Sequence, residues 1–295
     1  HGIIFLNSNP VYDHYLSSKI RDALDDVPLK ISTSDRIDET SVLCNVIAPD
    51  SHFLESWNDY EPMDNHYSFG QPTIRRIFDT RQSQDSFLKW IDSKENYFSL
   101  LKTNWREKQK SIKSREPFQI FWDRLLHDGV AEFVDKNSKN QNPLPNSYKN
   151  RISEVNNILT LIDRESNLEN FELNLYHNMT VSDGIQSNNP WLQEMPDPIS
   201  KVCWDNYISI SPKDASKLNV KTDVGTMTTN LLSLQHNNES YEIPVIVQPG
   251  QAEGTIGLAL GYGRKLVGPV GDGVGFDANQ LLDSESSFQN FTVGN

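Results

Sequence analysis

Hydrophobic and polar residues follow two different periods in the first part of the chain. "IIFLN" and "LKIST" are short apolar runs that predict strands, and the apolar "SVLCNVIA" predicts a third. Between the first two, "YDHYLSSKIRDALDDV" predicts a helix, because its apolar residues share one face at Leu16, Ile20, Ala23, Leu24 and Val27. Strand, helix and strand in this order predict a βαβ unit on a parallel sheet. Further helices are predicted in "SQDSFLKWI" and in "FQIFWDRLLHDGV", which ends at Gly129.

The pattern changes to short strands in the second half of the chain. "FELNLY", "NYISI", "VGTMTTNLLSLQ" and "SYEIPVIVQ" predict strands, and "HNNE" predicts a hairpin turn between the last two. Ser211, Pro212 and Asp214 have the spacing of a capping box that starts a short helix. Pro244 lacks an N–H group, which predicts an edge or a bulge at that position. This half therefore predicts a small β-barrel with one short helix.

A polar segment separates the two patterns. "DKNSKNQNPLPNS" is rich in asparagine and contains two prolines, which is typical of a linker or loop. We therefore predict an α/β domain over 1–134, a linker region over 135–170 and a β-barrel domain over 171–295. The chain opens directly into a core-like strand, from which we expect it to be an excised piece of a longer protein.

Glycine is concentrated near the carboxyl end, where "VIVQPGQAEGTIGLALGYGR" first suggests a nucleotide-binding loop. A dinucleotide fingerprint would need Gly-x-Gly-x-x-Gly at the start of a helix. Gly261 and Gly263 are followed by Leu266, and the next segment, "VGPVGDGVG", is incompatible with a helix. Glycines in strands mark bulges, barrel corners and close backbone approaches. The residues alone favour barrel corners over a phosphate site.

Composition excludes several classes of function. The net charge of −13 argues against nucleic acid as a partner, since an acidic surface repels phosphates. Cys44 and Cys203 are too few for iron–sulfur or structural zinc sites; two buried free thiols are the simplest interpretation, and a disulfide stays open. The seven histidines lack metal-ligand spacing, and no Gly-x-Ser-x-Gly motif occurs. We expect no catalytic residue and no metal site.

Several longer motifs resemble one family. "SNP" is similar to the Gly-x-Asn-Pro turn of the molybdopterin oxidoreductase superfamily, and the glycine segment resembles its C-terminal domain. A narrower likeness, to the large peripheral subunit of alternative complex III, is carried by further segments: "DETSVLCNVIAPDSHFLESWNDYEPMD", "QPTI", "FWDRLLHDGV", "NNPWLQEMPDPISKVCWDN" and "QPGQAEGTIGLALGYGR…VGDGVGFDAN". Cys44 and Asn45 stand where the molybdenum enzymes usually have Ala-Asp, which puts a pterin site in doubt.

The resemblance implies a fold, a location and partners. The C-terminal domain would be a double-psi β-barrel, and the molybdopterin-like half would hold no pterin or molybdenum. Iron–sulfur clusters would lie in parts of the subunit that this chain lacks. The subunit would work at the periplasmic face of the bacterial inner membrane, in transfer from quinol to an electron acceptor. Its partners would be other regions of the same subunit, multihaem cytochrome c and integral-membrane quinol-binding subunits.

Three hypotheses follow. In the first, the chain is a cofactor-free structural domain in which Glu39 caps or pairs locally and the tryptophans at 57, 191 and 204 lie in the core or an interface. In the second, it binds molybdopterin guanine dinucleotide through backbone N–H groups. The residues named for this site are Ser8, Asn9, Thr40, Gly250, Gly254 and Gly261. The third is an unrelated carboxylate enzyme such as a glycosidase, which the abundance of Asp and Glu permits but does not support.

Overall fold

The computed structural model describes residues 1–133, 171–221, 230–236, 239–282 and 289–293. The predicted linker over 135–170 therefore lies outside the described residues. The helices are α1 Pro10–Asp13, α2 Ser17–Asp25, α3 Ser83–Trp90, α4 Tyr97–Ser111, α5 Phe118–Asp128, α6 Pro190–Glu194 and α7 Pro212–Lys217. The strands are β1 Gly2–Phe5, β2 Leu29–Ser32, β3 Val46–Ile47, β4 Asn58–Met63, β5 His66–Gly70, β6 Val130–Glu132, β7 Phe171–His177, β8 Ile208–Ile210, β9 Leu231–His236, β10 Glu239–Val247, β11 Thr255–Leu260 and β12 Gln289–Val293. None of the described helices is both long enough and apolar enough to cross a membrane.

The chain forms two compact units, each built from separated stretches of sequence. The first unit contains residues 1–8, 28–36 and 44–145, and the second contains residues 9–27, 37–43 and 146–295. Helices α1 and α2 and the turn before β3 therefore belong to the second unit, although the strands on either side of them belong to the first.

The first unit contains the predicted parallel sheet. Strand β1 pairs in parallel with β2, with Gly2 opposite Leu29, and β2 pairs in parallel with β3, with Ile31 opposite Val46. A helical stretch connects β1 to β2 along the chain, so the predicted order of strand, helix and parallel strand is confirmed. A second sheet of the same unit is antiparallel, in the order β4-β5-β6.

Aromatic side chains form the core of the first unit. Trp105 of α4 and Trp122 of α5 are buried together with Phe121, Tyr67 and other apolar residues. The Trp105 indole N–H donates to the Asp59 carboxylate at 2.8 Å, which satisfies its polar atom. Helix α5 ends as predicted at Gly129, which has the left-handed backbone that favours glycine (φ 70°).

The second unit contains a six-stranded mixed sheet in the order β12-β7-β11-β8-β10-β9. Strand β11 pairs in parallel with β7 and antiparallel with β8, while β8 pairs in parallel with β10. The predicted hairpin is confirmed by the antiparallel pairing of β9 with β10; residues 237 and 238 of its turn lie outside the described residues. Inward side chains of the sheet form one apolar core, which includes Leu173, Ile208, Ile243 and Leu258. Mixed and parallel sheets with helices make the chain a mixed α/β protein.

Two local predictions in this unit concern Ser211 and Pro244. Ser211 caps α7 as predicted, because its hydroxyl accepts from the Asp214 N–H at 3.1 Å. Strand β10 has neighbours on both sides, but its pairing with β8 begins only at Val245. Pro244 is paired with β9 alone and so lies at a local edge, as predicted, where no ladder bond to β8 needs its missing N–H.

Candidate functional site

The candidate site lies in the second unit, where the start of α1 meets the turn before β3. Asn9 precedes α1 and Pro10 is its first residue, as the "SNP" turn predicts. The Asn9 side chain does not cap its own helix. Its Oδ1 instead accepts from the Thr40 hydroxyl at 2.7 Å and from the Thr40 N–H at 3.1 Å. Thr40 Oγ1 in turn accepts from the Val11 N–H at 3.1 Å, so the two segments are joined in both directions.

A compact turn positions Glu39 beside these residues. Asp38 Oδ1 accepts from the backbone N–H groups of Thr40 at 3.1 Å and Ser41 at 2.6 Å, and the Ser41 hydroxyl accepts from the Asp38 N–H at 2.7 Å. Short Asp and Ser side chains commonly close turns in this way. The fixed backbone leaves the Glu39 side chain pointing towards the glycine-rich segment.

Glu39 forms a buried ion pair with Arg264, the residue that closes the glycine segment. Arg264 Nη2 donates to Glu39 Oε2 at 2.6 Å and Arg264 Nε donates to Oε1 at 3.2 Å. The two side chains are 9% and 7% exposed, respectively. Planar, two-point contact of this kind is the strong form of an ion pair. The expectation that Glu39 caps or pairs locally is therefore wrong, because its partner lies 225 positions away.

Further N–H groups surround the same carboxylate. Oε1 accepts from the backbone N–H groups of Lys265 at 3.0 Å and Leu266 at 3.3 Å, and Oε2 accepts from Asn9 Nδ2 at 2.8 Å. Burial alone would raise the pKa of Glu39, but the hydrogen bonds from Arg264 and Asn9 outweigh it and lower the pKa to about 2. Glu39 is thus a fully paired internal anion.

Arg264 is held on its other sides as well. Its Nη1 donates to the Gly184 carbonyl at 2.9 Å, and its guanidinium carbon lies 5.0 Å from the centre of the Tyr12 ring. The Tyr12 hydroxyl donates to the Tyr262 carbonyl at 2.8 Å. Because these contacts use the face and the edges of the guanidinium, Arg264 is fixed in one orientation.

A second carboxylate lies close to this pair. Asp277 Oδ1 accepts from the N–H and the side-chain amide of Asn279, both at 3.1 Å. Burial, with a further contribution from the Glu39 charge, raises the pKa of Asp277 to about 6. Burial and the charge of Asp277 also raise the pKa of Tyr12. The two carboxylates therefore differ in charge state between their two pKa values, where Glu39 is ionised and Asp277 is protonated.

Three of the six predicted cofactor residues belong to this cluster. Asn9 and Thr40 bond each other, and Gly261 lies nearby, where its carbonyl accepts from the Ser187 hydroxyl at 2.8 Å. Gly261 has φ 97°, and a Cβ there would lie 2.5 Å from the Ser182 carbonyl oxygen. Glycine is required at this position for tight packing of protein against protein.

The other three predicted residues lie apart from the cluster. The Gly254 N–H donates to Asp214 at 2.8 Å, beside α7, and Gly250 lies in the turn after β10. A Cβ added to either glycine would meet nothing within 4 Å. Ser8 is exposed and belongs to the first unit. The structure therefore does not gather the six residues into one site.

Arg264 is the residue that sequence reasoning missed. It was visible as the residue that ends the glycine segment, but its partner is far away along the chain and no local pattern links the two. The expectation of two buried thiols needs correction, because Cys44 and Cys203 form no disulfide and are only half-buried. Trp191, expected in the core or an interface, is 81% exposed and so does not lie in the core. Across the described residues, no cluster of three or more His, Cys, Asp and Glu side chains could hold a metal ion.

The donors around Glu39 have the chemistry of an anion site. A guanidinium, a side-chain amide and two consecutive backbone N–H groups would suit a phosphate or pyrophosphate. Glu39 already accepts from all of them. The residues of this cluster therefore do not fit the pyrophosphate of a pterin dinucleotide, because an external anion would have to displace a buried carboxylate.

The chain is similar to known proteins, although no family model matches it. A stretch of 91 residues is 30% identical to the menaquinone reductase, molybdopterin-binding-like subunit, of Nitratidesulfovibrio vulgaris strain Hildenborough. That match covers 30% of this chain and 13% of the relative. The fold is similar to that of acetylene hydratase from Pelobacter acetylenicus, with a TM-score of 0.62 and 12% identity, over 98% of this chain and 43% of the other.

These likenesses support the resemblance to the molybdopterin oxidoreductase superfamily. The structural likeness shows a shared fold, and the chain spans less than half the length of each protein. The narrower likeness to alternative complex III stays a prediction.

Proposed function

We propose that the chain is a cofactor-free structural part of a larger oxidoreductase subunit of the molybdopterin type. One observation carries the proposal: the Glu39 carboxylate occupies the group of N–H donors formed by Arg264, Asn9 and the backbone of Lys265 and Leu266. The glycine-rich segment that would approach a dinucleotide is instead joined to the turn before β3 by the ion pair of Glu39 and Arg264. In this proposal the ion pair holds these two segments of the second unit together.

Energetics favour this internal pair over an external ligand. Displacing Glu39 would leave a buried carboxylate without its partners, and breaking a buried pair typically costs about 3–5 kcal/mol. A bound phosphate would also lie next to the displaced negative charge. The chain carries a net charge of −13, which further disfavours an anionic ligand.

The proposal also covers the complex in which the whole protein works, its location and its partners. The relative in Nitratidesulfovibrio vulgaris is named as a subunit of a menaquinone reductase, which supports a role in a quinone-linked respiratory complex. We place the subunit at the periplasmic face of the inner membrane, with multihaem cytochrome c and quinol-binding membrane subunits as partners. Its iron–sulfur clusters would lie in other regions of the same subunit. We assign the mixed sheet of the second unit to a double-psi β-barrel.

One observation favours a second candidate, binding of molybdopterin guanine dinucleotide. Gly250 and Gly254 have positive φ angles of 93° and 75°, and the space where a Cβ would lie is open at both. Glycines with open space beside them allow close backbone approach by a ligand. This candidate would place the ligand at the end of β10, away from the Glu39 pair.

Elemental and pterin analysis distinguishes the two candidates. The chain would be produced in a host that makes the pterin cofactor, alongside a known molybdoenzyme as a positive control. We expect neither molybdenum nor the fluorescent oxidation product of pterin in the purified chain. Stoichiometric molybdenum that is lost in a Gly250→Val, Gly254→Val variant would replace the first proposal with the second.

The size of the native polypeptide tests the larger setting. An antibody raised against the chain should detect a band far larger than 33.7 kDa that fractionates with membranes and haem. A soluble band near 33.7 kDa would contradict the assignment to a respiratory subunit.

A further inference from the structure

The parallel sheet of the first unit carries a continuous apolar patch on one face. Side chains that are opposite each other in a parallel pair point to the same side of the sheet. The register therefore places Ile4 beside Ile31 and Ile31 beside Val46, in one row across all three strands. Leu29 lies on the same face, opposite Gly2. Every residue that the three strands place on this face is thus apolar or glycine, and the four apolar side chains form the apolar patch.

This patch is more exposed than the face of a parallel sheet normally is. Ile4, Val46 and Leu29 are 44%, 45% and 47% exposed, and Ile31 between them is half-buried. The opposite face is buried where β1 ends, since Phe5 is only 6% exposed. Sheets built from parallel strands occur almost only with helices packed on both faces. Within the described part of the chain, one face of this sheet therefore lacks its cover.

Strand β1 also lies at an open edge of the same sheet. Its neighbour on one side is β2, and the described residues place no strand on its other side. Exposed edges are usually blocked by a charged side chain, a proline or a bulge. Gly2–Phe5 contains no such residue, and its pairing with β2 has no break in register. The sheet can therefore accept a further strand directly beside the apolar patch.

We propose that another region of the same polypeptide completes this sheet, with a strand that pairs with β1 and a helix that packs on the apolar patch. Parallel strands are joined by crossovers that are usually helices lying on the faces of the sheet, so a region that supplies the strand also supplies a helix. The helix would present an apolar face to Ile4, Ile31 and Val46. The inference rests on the proposed function, in which the chain is part of a larger subunit.

Two arguments favour the same polypeptide over a second copy of the chain. The fold matches acetylene hydratase over 98% of this chain but only 43% of that protein, so a similar fold occurs inside a protein more than twice as long. A second copy that paired antiparallel at the edge of β1 would leave the patch uncovered. The two-fold axis of such a pair would keep the apolar faces of both sheets on one side and so double the exposed area.

Hydrogen–deuterium exchange tests whether the edge is covered, without any substitution. The native polypeptide, isolated from the cells that make it, is compared with the 295-residue chain. Amide exchange over Gly2–Phe5 should be slower by roughly tenfold or more in the native polypeptide, because a paired edge opens less often. Exchange over α4, whose amides bond within the helix, should match in the two samples. Equal exchange over Gly2–Phe5 in a native polypeptide larger than 33.7 kDa would overturn this inference and leave the proposed function standing.

A photoreactive phenylalanine analogue identifies what covers the patch. In place of Ile4 in the native polypeptide, the analogue should cross-link to residues of the same polypeptide outside the 295-residue chain. The matched control places it at Glu107, an exposed position on α4 of the same unit, where we expect no such cross-link. A cross-link from residue 4 to a second copy or to another subunit would overturn the inference. A native polypeptide of 33.7 kDa would contradict the proposed function and this inference together.

Discussion

Glu39 and Arg264 lie 225 positions apart in the sequence and form a two-point ion pair that is almost completely buried. The pair joins the turn before β3 to the segment after β11, within one compact unit. A buried pair contributes little compared with a well-packed apolar replacement, but removing one partner leaves an uncompensated charge. The ion pair therefore holds the glycine segment in place, and losing only one of its two residues is the most destabilising change.

Single substitutions of the pair should be strongly destabilising. Arg264→Gln leaves the Glu39 carboxylate buried without its cation, and we expect the free energy of unfolding to fall by about 3–5 kcal/mol. Glu39→Gln leaves Arg264 unpaired and should cost a similar amount. Denaturant unfolding of each variant at neutral pH measures the loss.

The double variant provides the control for this prediction. Glu39→Gln with Arg264→Gln removes both charges, so its loss should be clearly smaller than the sum of the two single losses. The exposed pair of Lys213 and Glu253 is a matched comparison, and Lys213→Gln should change stability by less than about 1 kcal/mol. Additive losses at Glu39 and Arg264 would mean that the two side chains are not coupled.

An external anion should restore stability when the internal one is removed. Glu39→Ala leaves the N–H donors of Arg264, Asn9 and the Lys265 backbone without an acceptor and creates space beside them. Formate is small enough to replace the missing carboxylate, so it should raise the melting temperature of this variant by binding the folded state. A formate titration with sodium chloride as the ionic-strength control measures the effect. The unaltered chain should respond equally to both salts, and an equal response of Glu39→Ala would contradict the anion-site interpretation.

Glu39 should also contribute to acid sensitivity. Its folded pKa is about 2, compared with 4.5 for an ordinary glutamate. The unfolded chain therefore binds more protons between these values, and the stability due to Glu39 is present above 4.5 and is lost as pH falls towards 2. The contribution is on the order of 3 kcal/mol. The difference in unfolding free energy between the unaltered chain and Glu39→Gln should shrink as pH falls, and a constant difference would disprove the assignment.

Asp277 should act in the opposite direction. Its folded pKa is raised from 3.8 to about 6, so the folded state keeps a proton that the unfolded chain has already lost. Stability therefore falls as pH rises through this window, by on the order of 3 kcal/mol. Asp277→Asn should be more stable than the unaltered chain above about pH 6 and lose this advantage near about pH 4. A difference in stability between Asp277→Asn and the unaltered chain that does not change with pH would contradict this assignment.

Local sequence patterns predict the elements of this fold better than they predict its site. The strand at "IIFLN", the Gly129 helix end and the Ser211 cap depend on neighbouring residues, and all three are present. Pro244 was correctly expected to lack a ladder partner on one side, but the identity of the neighbouring strands depends on distant segments and has no local signal.

The site could be predicted only in part for the same reason. Asn9 and Thr40 were named from their motifs, and they do bond each other. The function of the Glu39 carboxylate depends on Arg264, and neither residue has a nearby sequence signal for the other. A pair so far apart is specified by the tertiary fold, which propensity and periodicity do not describe.

The glycines of the carboxyl-terminal segment should fall into two classes when substituted. Gly263 and Gly250 both have left-handed backbone, with φ of 71° and 93°. A Cβ on Gly263 would lie 2.2 Å from the Asp277 backbone nitrogen, whereas a Cβ on Gly250 would meet nothing within 4 Å. Gly250→Ala should therefore cost only the backbone strain of about 1–2 kcal/mol. Gly263→Ala adds a clash with main chain that cannot move aside, so it should cost several kcal/mol or prevent folding. Thermal melting of the two variants tests the difference, since equal losses would show that conformation alone, rather than close packing at Gly263, requires these glycines.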